Sequence, residues 1–196
     1  MNWQGKTVGY AITGSHCTFE EVMPVIKRFV DEGAKVIPII SNSVLTTNTR
    51  FGAAQDWQKQ LKDITGNDII STIVEAEPLG PSNVMDVLVI APCTGNTTSK
   101  LANAMTDSPV LMAAKAHMRN QRPLVLAIST NDGLGLNAAN IAKLLVAKHI
   151  YFVPYGQDNP QKKPNSLVAQ MELIPETAYA ALEGRQIQPM LVSRFS

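Results

Sequence analysis

Short apolar runs alternate with amphipathic segments along most of the chain, and this alternation constrains the fold more than any other feature. Between the runs, segment 19–30 carries apolar residues at the three- and four-residue spacing of one buried helix face, and segment 109–119 is also predicted to be helical. Strands that alternate with helices form a parallel sheet with helices on both faces. The six runs with the composition of β-strands are 6–12, 34–40, 69–74, 86–91, 123–128 and 150–153.

This pattern predicts an α/β protein of the flavodoxin-like or Rossmann-like class, a three-layer sandwich around a six-stranded parallel sheet. The 196 residues suit one domain. We predict that this domain covers residues 1–196, with a C-terminal extension from about residue 155. The polar, proline-containing segment 155–165 is interpreted as a surface loop, with a mobile flap as the alternative.

Composition narrows the classes of function. The net charge of +1 gives no reason to expect nucleic acid as a partner. No apolar run reaches the roughly 18 residues of a membrane-spanning helix, and the N-terminus does not resemble a signal peptide, so we expect a cytoplasmic protein without membrane contact. The two cysteines, Cys17 and Cys93, form neither a disulfide framework nor a metal-ligand pattern, and no metal site is expected.

Small hydroxyl and amide residues are concentrated directly after the predicted strands. Ligands of parallel α/β sheets bind beyond the carboxyl ends of the strands, so these loops are the predicted site. The first loop contains Gly14 and Ser15 just before a helix N-terminus, where an anion could bind, with a simple helix cap as an equal alternative. Ser41 follows the second strand in a similar way.

The loop after the fourth predicted strand is the most specific signal. Its hydroxyl and amide side chains surround one glycine and suit a flat heteroaromatic ring with polar edges. Cys93 stands where a nucleophile could stand, but no nearby pattern supplies a base, and a packing role is favoured. The candidate binding residues of this loop are Pro92, Cys93, Thr94, Asn96 and Thr97.

The loop after the fifth predicted strand is expected to close over a substrate, with Ser129, Thr130 and Asn131 as candidate contacts. His16 is the one histidine in the strand-exit loops and is the candidate catalytic proton donor or acceptor, with a loop-orienting hydrogen bond as an equal alternative. Arg50 is a candidate for binding a substrate carboxylate, although a solvated arginine is more common at such a position.

Residues 91–108 (APCTGNTTSKLANAMTDS) resemble the flavin-binding signature of the flavoprotein family that includes the flavin-containing cysteine-peptide decarboxylases. Thr13-Gly14-Ser15 and Ser41 resemble the family's first loop and its hydroxyl after the second strand, and the resemblance covers roughly residues 5 to 155. It implies FMN as the cofactor, with Gly14, Ser15 and Ser41 at the phosphate. It also implies that the ribityl chain and the ring contact Pro92, Cys93, Thr94 and Asn96, with Ser129 and Thr130 on the far side.

One branch of this family resembles the whole chain, including residues 176–185. That resemblance implies the oxidation of a dihydrodipicolinate-type precursor to dipicolinate (pyridine-2,6-dicarboxylate) in the mother cell of a sporulating bacterium. It implies a partner A subunit of the Rossmann type, which supplies NADPH, and homo-oligomers built from trimers. Either a flavin on this chain or the nicotinamide of the partner could accept the hydride.

Two departures separate the chain from the decarboxylases. Residues 75–80 (EAEPLG) lack the histidine that precedes the fourth strand in those enzymes. Residues 129–136 (STNDGLGL) stand in place of their Pro-x-Met-Asn-x-x-Met-Trp motif. Decarboxylation is therefore not expected, and the alternative to an oxidoreductase component is a nucleotide-binding or scaffold subunit without catalytic activity.

Overall fold

The computed structural model describes residues 1–82 and 84–193. Five parallel strands lie in the spatial order β2-β1-β3-β4-β5, which is the flavodoxin-like order, so the predicted fold class is confirmed. These strands are β1 (Thr7–Ile12), β2 (Lys35–Ile40), β3 (Val87–Cys93), β4 (Leu124–Thr130) and β5 (Ile150–Phe152).

Helices flank this sheet and explain its apolar strands. Every residue of β3 is buried, as expected for a central parallel strand that is covered on both faces. No helix within the described ranges is long and apolar enough to span a membrane. The helices are α1 (Phe19–Asp31), α2 (Asn42–Thr46), α3 (Ala54–Thr65), α4 (Ile73–Ala76), α5 (Leu79–Ser82), α6 (Gly95–Ala102), α7 (Pro109–Arg119), α8 (Asn137–Leu145) and α9 (Ile174–Leu182).

The predicted strand over residues 69–74 is wrong. Ile70 forms an isolated parallel bridge with Ile39, and helix α4 begins three residues later. Thr72 and Glu75 form a capping box, in which the Glu75 N–H donates to Thr72 Oγ1 at 3.1 Å and the Thr72 N–H donates to Glu75 Oε2 at 2.9 Å. This local capping turns an apolar run into a helical turn, so the parallel part of the sheet has five strands rather than six.

The surface loop predicted over residues 155–165 is also wrong, because most of this segment forms an antiparallel hairpin. Strand β6 (Tyr155–Asn159) pairs with β7 (Lys163–Ala169). Strand β7 then pairs antiparallel with the end of β4, where Val168 lies opposite Ser129 and Leu167 lies opposite Thr130. The β6–β7 hairpin therefore stands directly beside the loop that follows β4.

Candidate functional site

The carboxyl ends of β1, β3 and β4 open into a cavity of about 720 Å³, which we call the main cavity. It lies at the point where the strand order reverses, which is the ligand-binding position of sheets with this topology. The strand-exit loops contribute Gly14, Ser15, His16, Thr94, Gly95, Asn96, Ser129, Thr130, Asn131 and Asp132 to its lining, and the β6–β7 hairpin contributes Asp158, Lys163, Ser166 and Val168.

A second cavity of about 430 Å³ adjoins the main cavity, and we call it the hydroxyl cavity. The two cavities share Gly14, Thr94 and Asn96 in their linings. The hydroxyl cavity is otherwise lined mainly by small polar side chains and one cation: Thr13, Ser41, Asn42, Ser43, Thr97, Lys100, Asp107 and Ser108, together with Leu111.

Hydroxyl groups join the strand ends that form the floor of the site. Thr13 Oγ1 donates to the Pro92 carbonyl at 2.6 Å and accepts from the Thr94 N–H at 3.1 Å. Ser15 Oγ and Ser129 Oγ lie 2.8 Å apart. Because these bonds link β1 to β3 and β1 to β4, the cavity has a fixed floor before any ligand arrives.

Helix α6 points its N-terminus at both cavities. Thr94 is its N-cap, and Thr94 Oγ1 accepts from the Thr97 N–H at 3.3 Å. The remaining free N–H groups of the first turn and the positive end of the helix dipole favour an anion at this position. Lys100, on the same helix, lines the hydroxyl cavity and is held at 2.6 Å from Asp107.

Ser41 lies in the hydroxyl cavity with an unsatisfied hydroxyl. Its Oγ is buried and has no hydrogen-bond partner among the described residues. The first loop approaches closely at this point, since a β-carbon on Gly14 would lie 2.6 Å from Ser43 Oγ. A polar ligand that accepts a hydrogen bond from the Ser41 hydroxyl would remove the cost of this buried, unpaired group.

His16 lines the main cavity. Its Nε2 lies 3.4 Å from Ser43 Oγ, and its ring lies 4.8 Å from the ring of Phe19 between centroids. Its Nδ1 is buried without a partner in the described part of the chain. Burial lowers the pKa of His16 below its usual 6.5, so the imidazole is neutral at pH 7 and is able to accept a proton.

A hydrogen-bonded cluster holds the loop after β4 against helix α6. Asp132 Oδ1 accepts from Thr130 Oγ1 at 2.5 Å, and Asp132 Oδ2 accepts from Asn137 Nδ2 at 2.8 Å. A β-carbon on Gly95 would lie 2.5 Å from Thr130 Oγ1 and 2.7 Å from Asn137 Nδ2. Only a glycine at this position lets the two loops meet so closely.

Three of the predicted residues do not line either cavity. Cys93 is fully buried, its Sγ lies 3.4 Å from Thr98 Oγ1, and burial raises the pKa of its thiol to about 12, which fits a packing residue rather than a nucleophile. Pro92 is buried behind the floor and contributes its carbonyl to Thr13. The exposed Arg50 places its guanidinium 4.9 Å from the centre of the Phe51 ring.

The structure brings the other predicted residues together and adds several that sequence reasoning missed. Hydroxyl-rich loops were visible as a pattern, but the individual contributions of Ser43, Lys100 and Ser108 were not. The hairpin residues Asp158 and Lys163 carried no signal, because segment 155–165 was interpreted as a loop, and Ser166, directly after that segment, was not predicted either. Their place in the site follows from the pairing of β7 with β4.

Comparisons with known proteins show the family of the chain and agree with its fold. Residues 2–176 match the model of the family described as Flavoprotein. The chain is 57% identical over 192 residues to the B subunit of dipicolinate synthase from Bacillus subtilis (strain 168), covering 98% of this chain and 96% of that protein. It superposes with a TM-score of 0.92 on the crystal structure of the dipicolinate synthase B subunit from Bacillus halodurans, at 57% identity and with full coverage of both chains.

A more distant structure shares the fold. The FMN-dependent cysteine decarboxylase SpaF superposes with a TM-score of 0.67 at 15% identity, covering 93% of this chain and 98% of that one.

Proposed function

This chain belongs to the flavoprotein family, and on that premise we propose that it binds FMN across the two cavities and serves as the FMN-binding subunit of dipicolinate synthase. The observation that carries the proposal is the pair of adjoining cavities, one rich in hydroxyl groups and one larger, that meet at Gly14, Thr94 and Asn96. A phosphorylated ligand with a planar ring needs two such compartments.

The hydroxyl cavity has the donor set that a phosphate requires. It combines the free N–H groups at the start of α6, the unpaired Ser41 hydroxyl and the Lys100 ammonium. Phosphate oxygens accept hydrogen bonds from all three kinds of donor. The predicted phosphate residues Gly14 and Ser41 line this cavity, whereas Ser15 lines the main cavity.

The main cavity suits the ring and the substrate. Its volume of about 720 Å³ lies within the range of small-molecule sites. The ring would contact Thr94, Asn96, Ser129 and Thr130, and the substrate would lie toward Asn131 and the β6–β7 hairpin. Bound FMN would supply a hydride acceptor, which the conversion of a dihydropyridine dicarboxylate to an aromatic pyridine dicarboxylate requires.

The same conversion also releases a proton, and this chain has a group to take it. His16 is neutral at pH 7 because burial lowers its pKa, and its Nδ1 has no partner among the described residues. We assign it the role of general base. Asn131, which lines the main cavity, remains a candidate for a contact with a substrate carboxylate, whereas Arg50 lines neither cavity.

The relative from Bacillus subtilis is one subunit of its enzyme, and we propose that this chain likewise works with the A subunit of dipicolinate synthase. The A subunit would hold the nicotinamide, which would accept the hydride as NADP⁺ and leave as NADPH. We also propose a homotrimer or a multiple of it. An apolar cavity between α6, α7 and α8, lined by Leu101, Met105 and Met118, supports such an interface, and Met105 is 47% exposed in the single chain.

Reconstitution tests the proposed function. The purified chain, loaded with FMN and mixed with the A subunit and NADP⁺ as the final hydride acceptor, is expected to convert the dihydrodipicolinate-type precursor to dipicolinate, followed by the ultraviolet absorbance of the aromatic product. Omission of either protein is expected to abolish product formation. If the A subunit without this chain gave the same rate as the complete mixture, the proposal would be contradicted.

A further inference from the structure

We propose that the β6–β7 hairpin holds one carboxylate of the substrate at a subsite formed by Lys163 and Ser166. This inference rests on the proposed function, because it names the group that recognises a pyridine dicarboxylate in the main cavity. The hairpin is brought to the site by the antiparallel pairing of Val168 with Ser129.

Ser166 is a buried hydroxyl that faces no protein partner. The residue is only 1% exposed, it lines the main cavity, and its Oγ has no hydrogen-bond partner within the described ranges. Leaving a buried hydroxyl unpaired is unfavourable, whereas a carboxylate oxygen in the cavity would accept a hydrogen bond from it.

Lys163 supplies the charge. Of the described residues that line the main cavity, it is the only lysine or arginine. Its ammonium lies 3.1 Å from Asp158, and about half of the lysine side chain is exposed. Such an exposed ion pair contributes little stability, so the ammonium is free to exchange Asp158 for a ligand carboxylate at small cost.

The rest of the lining makes this lysine necessary for an anionic ligand. Glu21, Asp132 and Asp158 place three carboxylates around the same cavity. Asp132 is already held by Thr130 and Asn137. Beside these three carboxylates, a carboxylate of the ligand binds only where a cation and unpaired hydrogen-bond donors contact it. The hairpin provides the cation in Lys163 and the donor in Ser166.

The position of the subsite also predicts a preference for ligands with two carboxylates. Strand β7 continues the sheet beyond β4, so in the strand order β4, with Ser129 and Thr130, stands between the hairpin and β1 with its first loop. A ring bound over the strand ends would direct one of its carboxylates to the hairpin. A pyridine ring with only one carboxylate would fill either this subsite or a second carboxylate position elsewhere in the cavity, but not both.

Calorimetric titration with dipicolinate, compared with pyridine-2-carboxylate, tests the subsite. Lys163→Gln is expected to weaken dipicolinate binding by about tenfold or more and to remove most of the preference for the dicarboxylate. Lys162→Gln is the matched control, since this neighbouring lysine is exposed and does not line the cavity, and it is expected to bind as the wild type does. Ser166→Ala is expected to weaken dipicolinate binding in the same direction as Lys163→Gln.

The outcomes separate this inference from the proposed function. FMN uptake, followed by flavin fluorescence, is expected to be the same in wild type, Lys163→Gln and Ser166→Ala. Failure of the wild type to take up FMN would overturn the proposed function. Normal FMN uptake together with equal dipicolinate affinity in Lys163→Gln and Lys162→Gln, or with no dipicolinate binding by the wild type, would overturn the subsite alone.

Discussion

At the scale of single residues, unpaired buried polar atoms mark the site. His16 Nδ1, Ser41 Oγ and Ser166 Oγ lack partners among the described residues, and all three residues line one of the two cavities. An unsatisfied buried polar group costs about 1–3 kcal/mol, so several of them around adjoining cavities indicate a ligand that pairs with them. The other unpaired atoms belong to aromatic side chains in or near the core and to the second oxygens of ion-paired carboxylates.

The proposed base gives a prediction at the same scale. Because burial lowers the pKa of His16, the kcat of the reconstituted enzyme is expected to be at its maximum at pH 7. It is expected to fall as the pH drops below that lowered pKa. His16→Asn is expected to lower kcat by about 10²–10⁴-fold and to remove this acidic limb from the pH–rate profile. Unchanged turnover in His16→Asn would exclude the histidine as the base.

At the scale of elements, the contact between α6 and the loop after β4 depends on a glycine. In Gly95→Ala the new β-carbon would collide with Thr130 Oγ1 and Asn137 Nδ2. We expect the free energy of unfolding to fall by about 1–3 kcal/mol and FMN affinity to fall with it, as measured by urea unfolding and flavin fluorescence. Gly135→Ala is the control, because its nearest neighbour lies 3.4 Å from the added carbon, and a change of more than about 0.5 kcal/mol there would contradict the steric explanation.

A buried histidine anchors helix α7 to the start of β4. His117 is 2% exposed, its Nε2–H donates to the Pro123 carbonyl at 3.0 Å, and burial lowers its pKa to about 4. Below pH 6.5 the unfolded chain therefore binds a proton that the folded chain does not, and the free energy of unfolding is expected to fall by about 3 kcal/mol between pH 6.5 and 4.

Urea unfolding at pH 7 and pH 4.5 measures this dependence. His117→Gln keeps a donor for the Pro123 carbonyl and removes the titrating group, so its stability is expected to change less with pH than that of the wild type. The contribution of His16 has the same sign in both proteins and cancels in the comparison. An equal pH dependence in wild type and variant would show that His117 does not titrate as described.

At the scale of the whole molecule, sequence patterns predicted the architecture and the part of the candidate site that is formed by the strand-exit loops. The apolar strands β1, β3 and β4 and the hydroxyl-rich loops after them are local features, and both are visible along the chain. The strand predicted over residues 69–74 failed because a capping box at Thr72 and Glu75 outweighed β-branched composition. The loop predicted over residues 155–165 was wrong because the polar residues of this segment are typical of a loop, and the pairing of β7 with the edge of β4 is not visible in the sequence.

The same reasoning explains which site residues could not be predicted from the sequence. Ser15 and Ser129 are far apart in the chain but 2.8 Å apart in the structure, and both were predicted because each follows a strand. Lys163 and Ser166 follow no strand end and reach the main cavity only through tertiary pairing. Arg50, although predicted, is directed onto the ring of Phe51.

The central claim is that one flavin nucleotide spans both cavities with its phosphate in the hydroxyl cavity, and a comparison of FMN with riboflavin tests it most directly. Fluorescence titration of the purified chain is expected to give an affinity for FMN at least about tenfold higher than for riboflavin, which lacks the phosphate. Ser41→Ala is expected to weaken FMN binding and to leave riboflavin binding unchanged. No binding of FMN, or equal affinities for FMN and riboflavin in the wild type, would contradict the account.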